Sequence, residues 1–87
     1  MYRITLSEQA RKEYLYFTQS GNKAILNKIK TLLEDIAAHP YTGIGKPEPL
    51  KHRKEWSRRI DEANRLVYNI DENGFLWIIA CRGHYED

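Results

Sequence analysis

The sequence predicts an α+β domain in which a two-helix hairpin covers one face of a mostly antiparallel sheet, in the order β-α-α-β-β-β. Two segments with a helical apolar period come early in the chain, and three alternating, β-branched segments separated by turn chemistry come late. The length of 87 residues, with 41% apolar and 11% aromatic side chains, suits one core and one domain, residues 1–87. Helices gathered before a run of strands point to segregated layers, not to alternating parallel units.

Residues 2–6, "YRITL", alternate and open the chain as a short strand. Ser7 offers an N-cap, and Ala10, Tyr14 and Phe17 recur at helical spacing behind it. "SGN" at 20–22 stops that helix, with Gly21 as its C′ residue. Ile25, Ile29, Leu32, Leu33 and Ile36 then line one stripe of a second helix, which Pro40 ends. Residues 40–55 hold all three prolines and two glycines, and read as an irregular ordered loop of the kind that carries function. Strands are expected at 56–61, 64–70 and 75–82, joined by the turn sequences "DEAN" (61–64) and "DENG" (71–74) as a meander. Alternation turns Trp56, Ile60, Leu66, Tyr68 and Ile70 toward the helices, so Ser57, Arg59 and Arg65 share the open face. The last strand is apolar on both parities, which marks it as central and leaves the face of Arg82 open.

Composition excludes several classes. No apolar stretch is long enough to span a bilayer, and the N-terminus lacks the basic-then-apolar pattern of a signal peptide. The single cysteine, Cys81, excludes an internal disulfide and lies in an apolar run. A cytoplasmic protein with a buried thiol and no membrane association is the expectation. The net charge of +2 is unevenly spread: Lys46, Lys51, Arg53, Lys54, Arg58 and Arg59 face only Glu48 and Glu55 within residues 46–59, a local excess of four. Such a run serves either as a solvated loop or as the electrostatic footprint of a polyanion site.

For chemistry, His39, His52 and His84 are far apart and no paired-ligand spacing exists, so no metal or other cofactor is expected. "GIGKP" (43–47) lacks the spacing and the hydroxyl residue of a phosphate-binding loop. A loop acid, Glu48, a cluster of cations and the terminal His84-Tyr85 remain. Each alone has an ordinary explanation as a solvated side chain. Together they supply the parts for RNA cleavage without a metal: a base for the 2′-hydroxyl, cations for the phosphate and an acid for the leaving oxygen. Spacing does not by itself bring them together.

"GIGKPEPLKH" (43–52), "WSRRI" (56–60), "RLVY" (65–68) and "IIACRGHY" (78–85), with "EYLYF" (13–17) in the first helix, resemble the Txe/YoeB branch of the RelE-like toxins of type II toxin–antitoxin systems. The resemblance covers essentially the whole chain. It implies a microbial-ribonuclease-like fold and an endoribonuclease that cuts messenger RNA at the ribosomal A site and so inhibits translation. By the same resemblance Glu48 is the general base, Arg65 the phosphate-stabilising arginine and His84 the general acid, with Tyr85 placing the substrate. Lys51, His52 and Arg59 match basic positions around the site. The expected partners are messenger RNA, the ribosome, a cognate antitoxin of YefM/Phd-like type and, by similarity to relatives that dimerise, a second copy of the chain. The alternative is a non-catalytic RNA- or ribosome-binding module regulated by a partner protein. Three departures from the family pattern stand out: Gly83 in place of a bulkier residue, a shortened loop at Arg53–Glu55, and Glu86-Asp87 beyond the usual His-Tyr ending. Those two acids are expected either to favour protonated His84 through nearby charge or to lie in solvent.

Overall fold

A computed structural model of the chain describes residues 2–51 and 53–83. The elements are β1 (Arg3–Leu6), α1 (Glu8–Gln19), α2 (Lys23–Ala38), β2 (Glu48–Pro49), β3 (Trp56–Arg59), β4 (Arg65–Ile70) and β5 (Phe75–Ala80). They form one five-stranded sheet in the order β1-β5-β4-β3-β2. β1 runs parallel to β5, and every other neighbour is antiparallel. The expected α+β order is present with one addition, the two-residue β2 inside the Pro/Gly-rich loop. β5 lies between β1 and β4, which suits its apolar side chains on both parities.

Local chemistry sets the helix limits. The Ser7 hydroxyl accepts from the Ala10 amide at 3.0 Å and donates to the Ile79 carbonyl at 2.7 Å, so one side chain caps α1 and ties it to β5. At its other end the Asn22 amide donates to the Phe17 carbonyl and the Gly21 amide to the Thr18 carbonyl, the paired bonds of a Schellman stop. Asn22 then caps α2 by accepting from the Ile25 amide. The stripe Ile25, Ile29, Leu32 and Ile36 is buried against Leu66, Tyr68, Leu76 and Ile78 of the sheet, with Ala10 and Phe17 of α1 completing the core.

All four expected strands are shorter at one end than alternation suggests, β4 starting at Arg65 and not at residue 64. β1 begins at Arg3. β3 ends at Arg59 because the Ile60 and Asp61 amides both donate to the Asn64 carbonyl, which closes a turn where a strand could have continued. β5 ends at Ala80 because the Cys81 amide leaves the ladder and donates to the Glu13 carboxylate of α1 at 2.8 Å. The pairing of β4 with β5 also shifts register between Val67 and Tyr68: Val67 faces Ala80, and Tyr68 faces Ile78. Ile79 is therefore an extra residue, a β-bulge that reverses parity for the end of β5. After it Ala80 lies with Val67 and Leu50 on the face away from the helices, whereas Cys81 packs in the main core.

Candidate active site

The face away from the helices is only partly open. Leu50 folds over Val67 and Ala80, and Ser57 is fully buried. Glu48 is the register partner of Ser57, and Arg59 that of Arg65. These two pairings bring Glu48, Ser57, Arg59 and Arg65 onto one patch, because directly opposed residues share a face.

Arg65 is the centre of the patch. Its Nε donates to the Ser57 hydroxyl at 3.0 Å, and its Nη2 lies 3.2 Å from Glu48 Oε1. A long contact of 3.5 Å joins Nη2 to the Lys46 carbonyl. The Arg65 side chain is 12% exposed and that of Glu48 61%, so a positioned cation lies beneath a carboxylate that reaches solvent. Such an arrangement can present a fixed positive charge to an anion and an accessible base beside it. Arg59, Lys51 and Lys46 are exposed around it and add positive potential.

The chain's exit from the sheet is tied to the same patch. The Arg65 amide donates to the Gly83 carbonyl at 3.0 Å. The Gly83 amide donates to Asn64 Oδ1 at 2.9 Å, and the Asp61 carboxylate accepts from the Asn64 amide and side chain. Arg82 turns toward α1, its guanidinium carbon 3.6 Å from the centre of the Tyr16 ring. Among the expected site residues Glu48, Lys51, Arg59 and Arg65 are therefore placed; His52, His84 and Tyr85 lie outside the described residues.

The loop leading to Glu48 has an internal anchor that alternation alone does not reveal. Arg58 is fully buried on the helix side of β3. Nη1 reaches Asp35 Oδ2 at 2.5 Å and the Ile44 carbonyl at 3.2 Å; Nη2 reaches the His39 and Thr42 carbonyls at 2.5 and 2.8 Å. Nε donates to the Tyr68 hydroxyl at 3.2 Å, and that hydroxyl donates to the Pro40 carbonyl at 2.6 Å. All five guanidinium donors are used. The Arg58 guanidinium holds the Asp35 carboxyl below its ordinary value, and burial pushes the Tyr68 hydroxyl up.

Ser57, Arg58 and Asn64 are the site-supporting residues that the sequence left unassigned. The parity that turns Trp56 and Ile60 inward also turns Arg58 inward, and a buried arginine requires acceptors. That was the available signal. For Ser57 alternation gave the face it shares with Arg65 but not the bond, and for Asn64 no signal existed, because their partners are set by pairing register and a turn. Among the described residues no three His, Cys, Asp or Glu side chains gather in a way that could hold a metal ion. No helix in the described residues is long and apolar enough to cross a membrane.

Known proteins agree with this architecture. A family model described as YoeB-like toxin of bacterial type II toxin-antitoxin system matches residues 6–85. Toxin YoeB of Escherichia coli K12 is 46% identical over 85 residues, which cover 95% of this chain and 99% of that protein. A YoeB dimer from Staphylococcus aureus superposes with a TM-score of 0.87 at 41% identity, covering 97% of this chain and 98% of that one. A YoeB–YefM complex from the same organism gives 0.84 at 43% identity, covering 98% and 99%. With its fold, motifs and near full-length identity in agreement, the chain belongs to the YoeB-like toxins of bacterial type II toxin–antitoxin systems.

Proposed function

We propose that this protein is an endoribonuclease that cuts messenger RNA in the ribosomal A site by intramolecular transesterification. The observation that carries the reading is the Glu48–Arg65 pair, an accessible carboxylate 3.2 Å from a guanidinium that is itself held by Ser57. Glu48 takes the proton of a ribose 2′-hydroxyl, whose oxygen attacks the adjacent phosphorus in line. Arg65 forks onto the phosphate oxygens as negative charge accumulates, with Arg59, Lys51 and His52 supplying the surrounding positive field. His84, given the role of general acid by the family resemblance, protonates the departing 5′-oxygen. The reference value of a histidine, about 6.5, suits an acid that must be partly protonated near neutral pH. Tyr85 orients the substrate. One P–O bond forms and one breaks, leaving a 2′,3′-cyclic phosphate and a 5′-hydroxyl with no water consumed. No step calls on a metal ion, since arginine answers the phosphate charge.

Regulation follows from the family. The S. aureus relative forms a YoeB–YefM complex, and a YefM-like antitoxin is the proposed partner of this chain. A homodimer is proposed on the same footing from the S. aureus YoeB dimer.

The test is cleavage on ribosomes programmed with a defined messenger RNA, with the product ends analysed. Cyclic-phosphate ends that disappear in Glu48→Ala, Arg65→Ala and His84→Ala are expected. Undiminished cutting in all three variants overturns the assignment, and ribosome binding with no new ends establishes a non-catalytic module.

A further inference from the structure

We propose that Arg58 is a positioning residue for Glu48: it fixes the 39–46 loop in the one arrangement that delivers the carboxylate to Arg65. The proposal rests on the reading of Glu48 as the reacting base. Arg58 itself faces the core and lies away from the patch that meets substrate.

Its bonds trace a continuous path. Arg58 gathers the His39, Thr42 and Ile44 carbonyls and Asp35. The next amide along β3, that of Arg59, donates to the Gly45 carbonyl at 2.7 Å. The Lys46 carbonyl faces Arg65 Nη2, Pro47 restricts the following backbone, and Glu48 pairs with Ser57. From Thr42 to Glu48, no two neighbouring residues both lack a link to Arg58, Arg59, Arg65 or Ser57. Two glycines let the loop lie this close. A Cβ on Gly43 would stand 2.0 Å from Asp35 Oδ2, and one on Gly45 2.8 Å from Leu32 Cδ2. Asp35 also accepts from the Ile44 amide at 3.1 Å, so it secures the loop from the helix side as Arg58 does from the sheet side.

Stability alone does not call for this device. Packed apolar residues of similar volume generally stabilise a core as well as a buried ion pair does. A hydrophobic side chain, however, cannot choose among loop conformations, whereas three donors directed at loop carbonyls select one. Catalysis needs that selection, because displacing a reacting group by about 1 Å can cost about 10²-fold in rate.

Arg58→Lys keeps a buried charge toward Asp35 but cannot hold three carbonyls. Gly43→Ala drives a Cβ into the Asp35 carboxylate at a backbone position with φ of 118°, so it disturbs the loop and its Asp35 tie while keeping the Arg58 guanidinium, and it carries the test should Arg58→Lys fail to fold. Both are compared with wild type on programmed ribosomes, and both are repeated in a Glu48→Ala background. Loop position is read independently from Trp56, whose ring lies 4.9 Å from that of Tyr41 on the loop, by fluorescence in a Trp77→Phe background. Each variant is expected to change Trp56 emission and to lower kcat at least tenfold, with KM within twofold. In Glu48→Ala the same changes should lower the residual rate by less than twofold, since a residue acting through Glu48 has nothing left to position. Wild-type kcat with altered emission, unchanged kcat and emission in both variants, or a tenfold loss that persists without Glu48 each overturns the positioning role. Full cleavage by Glu48→Ala alone overturns instead the reading of the base on which the proposal rests.

Discussion

Arg65 Nη2 lies 3.2 Å from Glu48 Oε1, and the two residues differ fivefold in side-chain exposure, 12% against 61%. An ion pair with one solvated partner adds little to stability, so the proposed role of Glu48 in cleavage is separable from folding. Glu48→Gln is therefore expected to change unfolding free energy by less than about 1 kcal/mol, while lowering cleavage sharply because an amide cannot take the proton. Arg65→Ala should lower kcat by about 10²–10³-fold, the usual loss for one donor at a developing charge. Arg65→Lys should recover only part of that rate, since an ammonium cannot bond Ser57 and a phosphate as a planar fork does. Urea titrations beside single-turnover cleavage check the separation.

The Asn64 side chain fastens the end of the described chain. It accepts from the Gly83 amide while the Asp61 carboxylate holds its own Nδ2. Asn64→Ala removes the acceptor and leaves a partly buried amide to find water, at a cost of about 1–2 kcal/mol. The Gly83 amide should then exchange with solvent much faster than in wild type, and the amides of Leu66 and Leu76 should keep their protection. Hydrogen exchange followed by NMR reads both. Equal protection at Gly83 in the two proteins would show that Asn64 does not secure it.

Much of the scaffold was legible because periodicity and capping act locally. Ser7, Gly21, Asn22 and Pro40 bound the two helices, and Ile25, Ile29, Leu32 and Ile36 mark the buried stripe. What escaped depends on partners distant in sequence. The Ile79 bulge arises from pairing with β4, and no pattern within "FLWIIACR" announces a parity change. β2 is two residues long and contains Pro49, so it has neither the length nor the composition of a strand. On the patch itself, residue types and the family motifs single out Glu48 and Arg65 as candidates, and the structure brings their side chains within 3.2 Å. The bond from Arg65 to Ser57 and the anchoring of the loop by Arg58 follow only from three-dimensional pairing.

Cys81 is buried in the main core with its Sγ directed at the Ala10 carbonyl, and burial together with the nearby Glu13 charge pushes the thiol up to about 12. Only a thiolate reacts readily with alkylating agents and disulfides. At pH 8 the native thiol is therefore expected to resist iodoacetamide and aromatic disulfide reagents, and to react at the rate of local or global opening. Adding urea below the unfolding midpoint should raise the labelling rate in step with the open population. Rapid stoichiometric labelling of the native protein would show instead that the thiol is accessible.

The Arg58–Asp35 pair makes stability depend on acid pH. Asp35 is held below its ordinary value chiefly by the Arg58 hydrogen bond, against the opposing effect of burial. In the unfolded chain the carboxyl returns to about 3.9. The sign follows: above that pH both states are ionised and the pair's contribution is complete. As pH falls below it, the unfolded state binds a proton that the native state refuses, and stability declines until the native carboxyl is itself protonated. Asp71, lowered by amide bonds from Phe75 and the Trp77 indole, acts in the same direction. Urea unfolding between pH 5.5 and 2.5 should show stability falling toward acid in wild type, less steeply in Asp35→Asn. Arg58→Met, which leaves a partly exposed Asp35 without its cation and the three loop carbonyls without their donor, should lower stability at neutral pH by about 1–3 kcal/mol, the range for a polar group left unsatisfied. In Arg58→Met, Asp35 no longer has its cation, so the acid slope should flatten as in Asp35→Asn. An acid slope unchanged in both variants would assign the pH dependence to carboxylates other than Asp35.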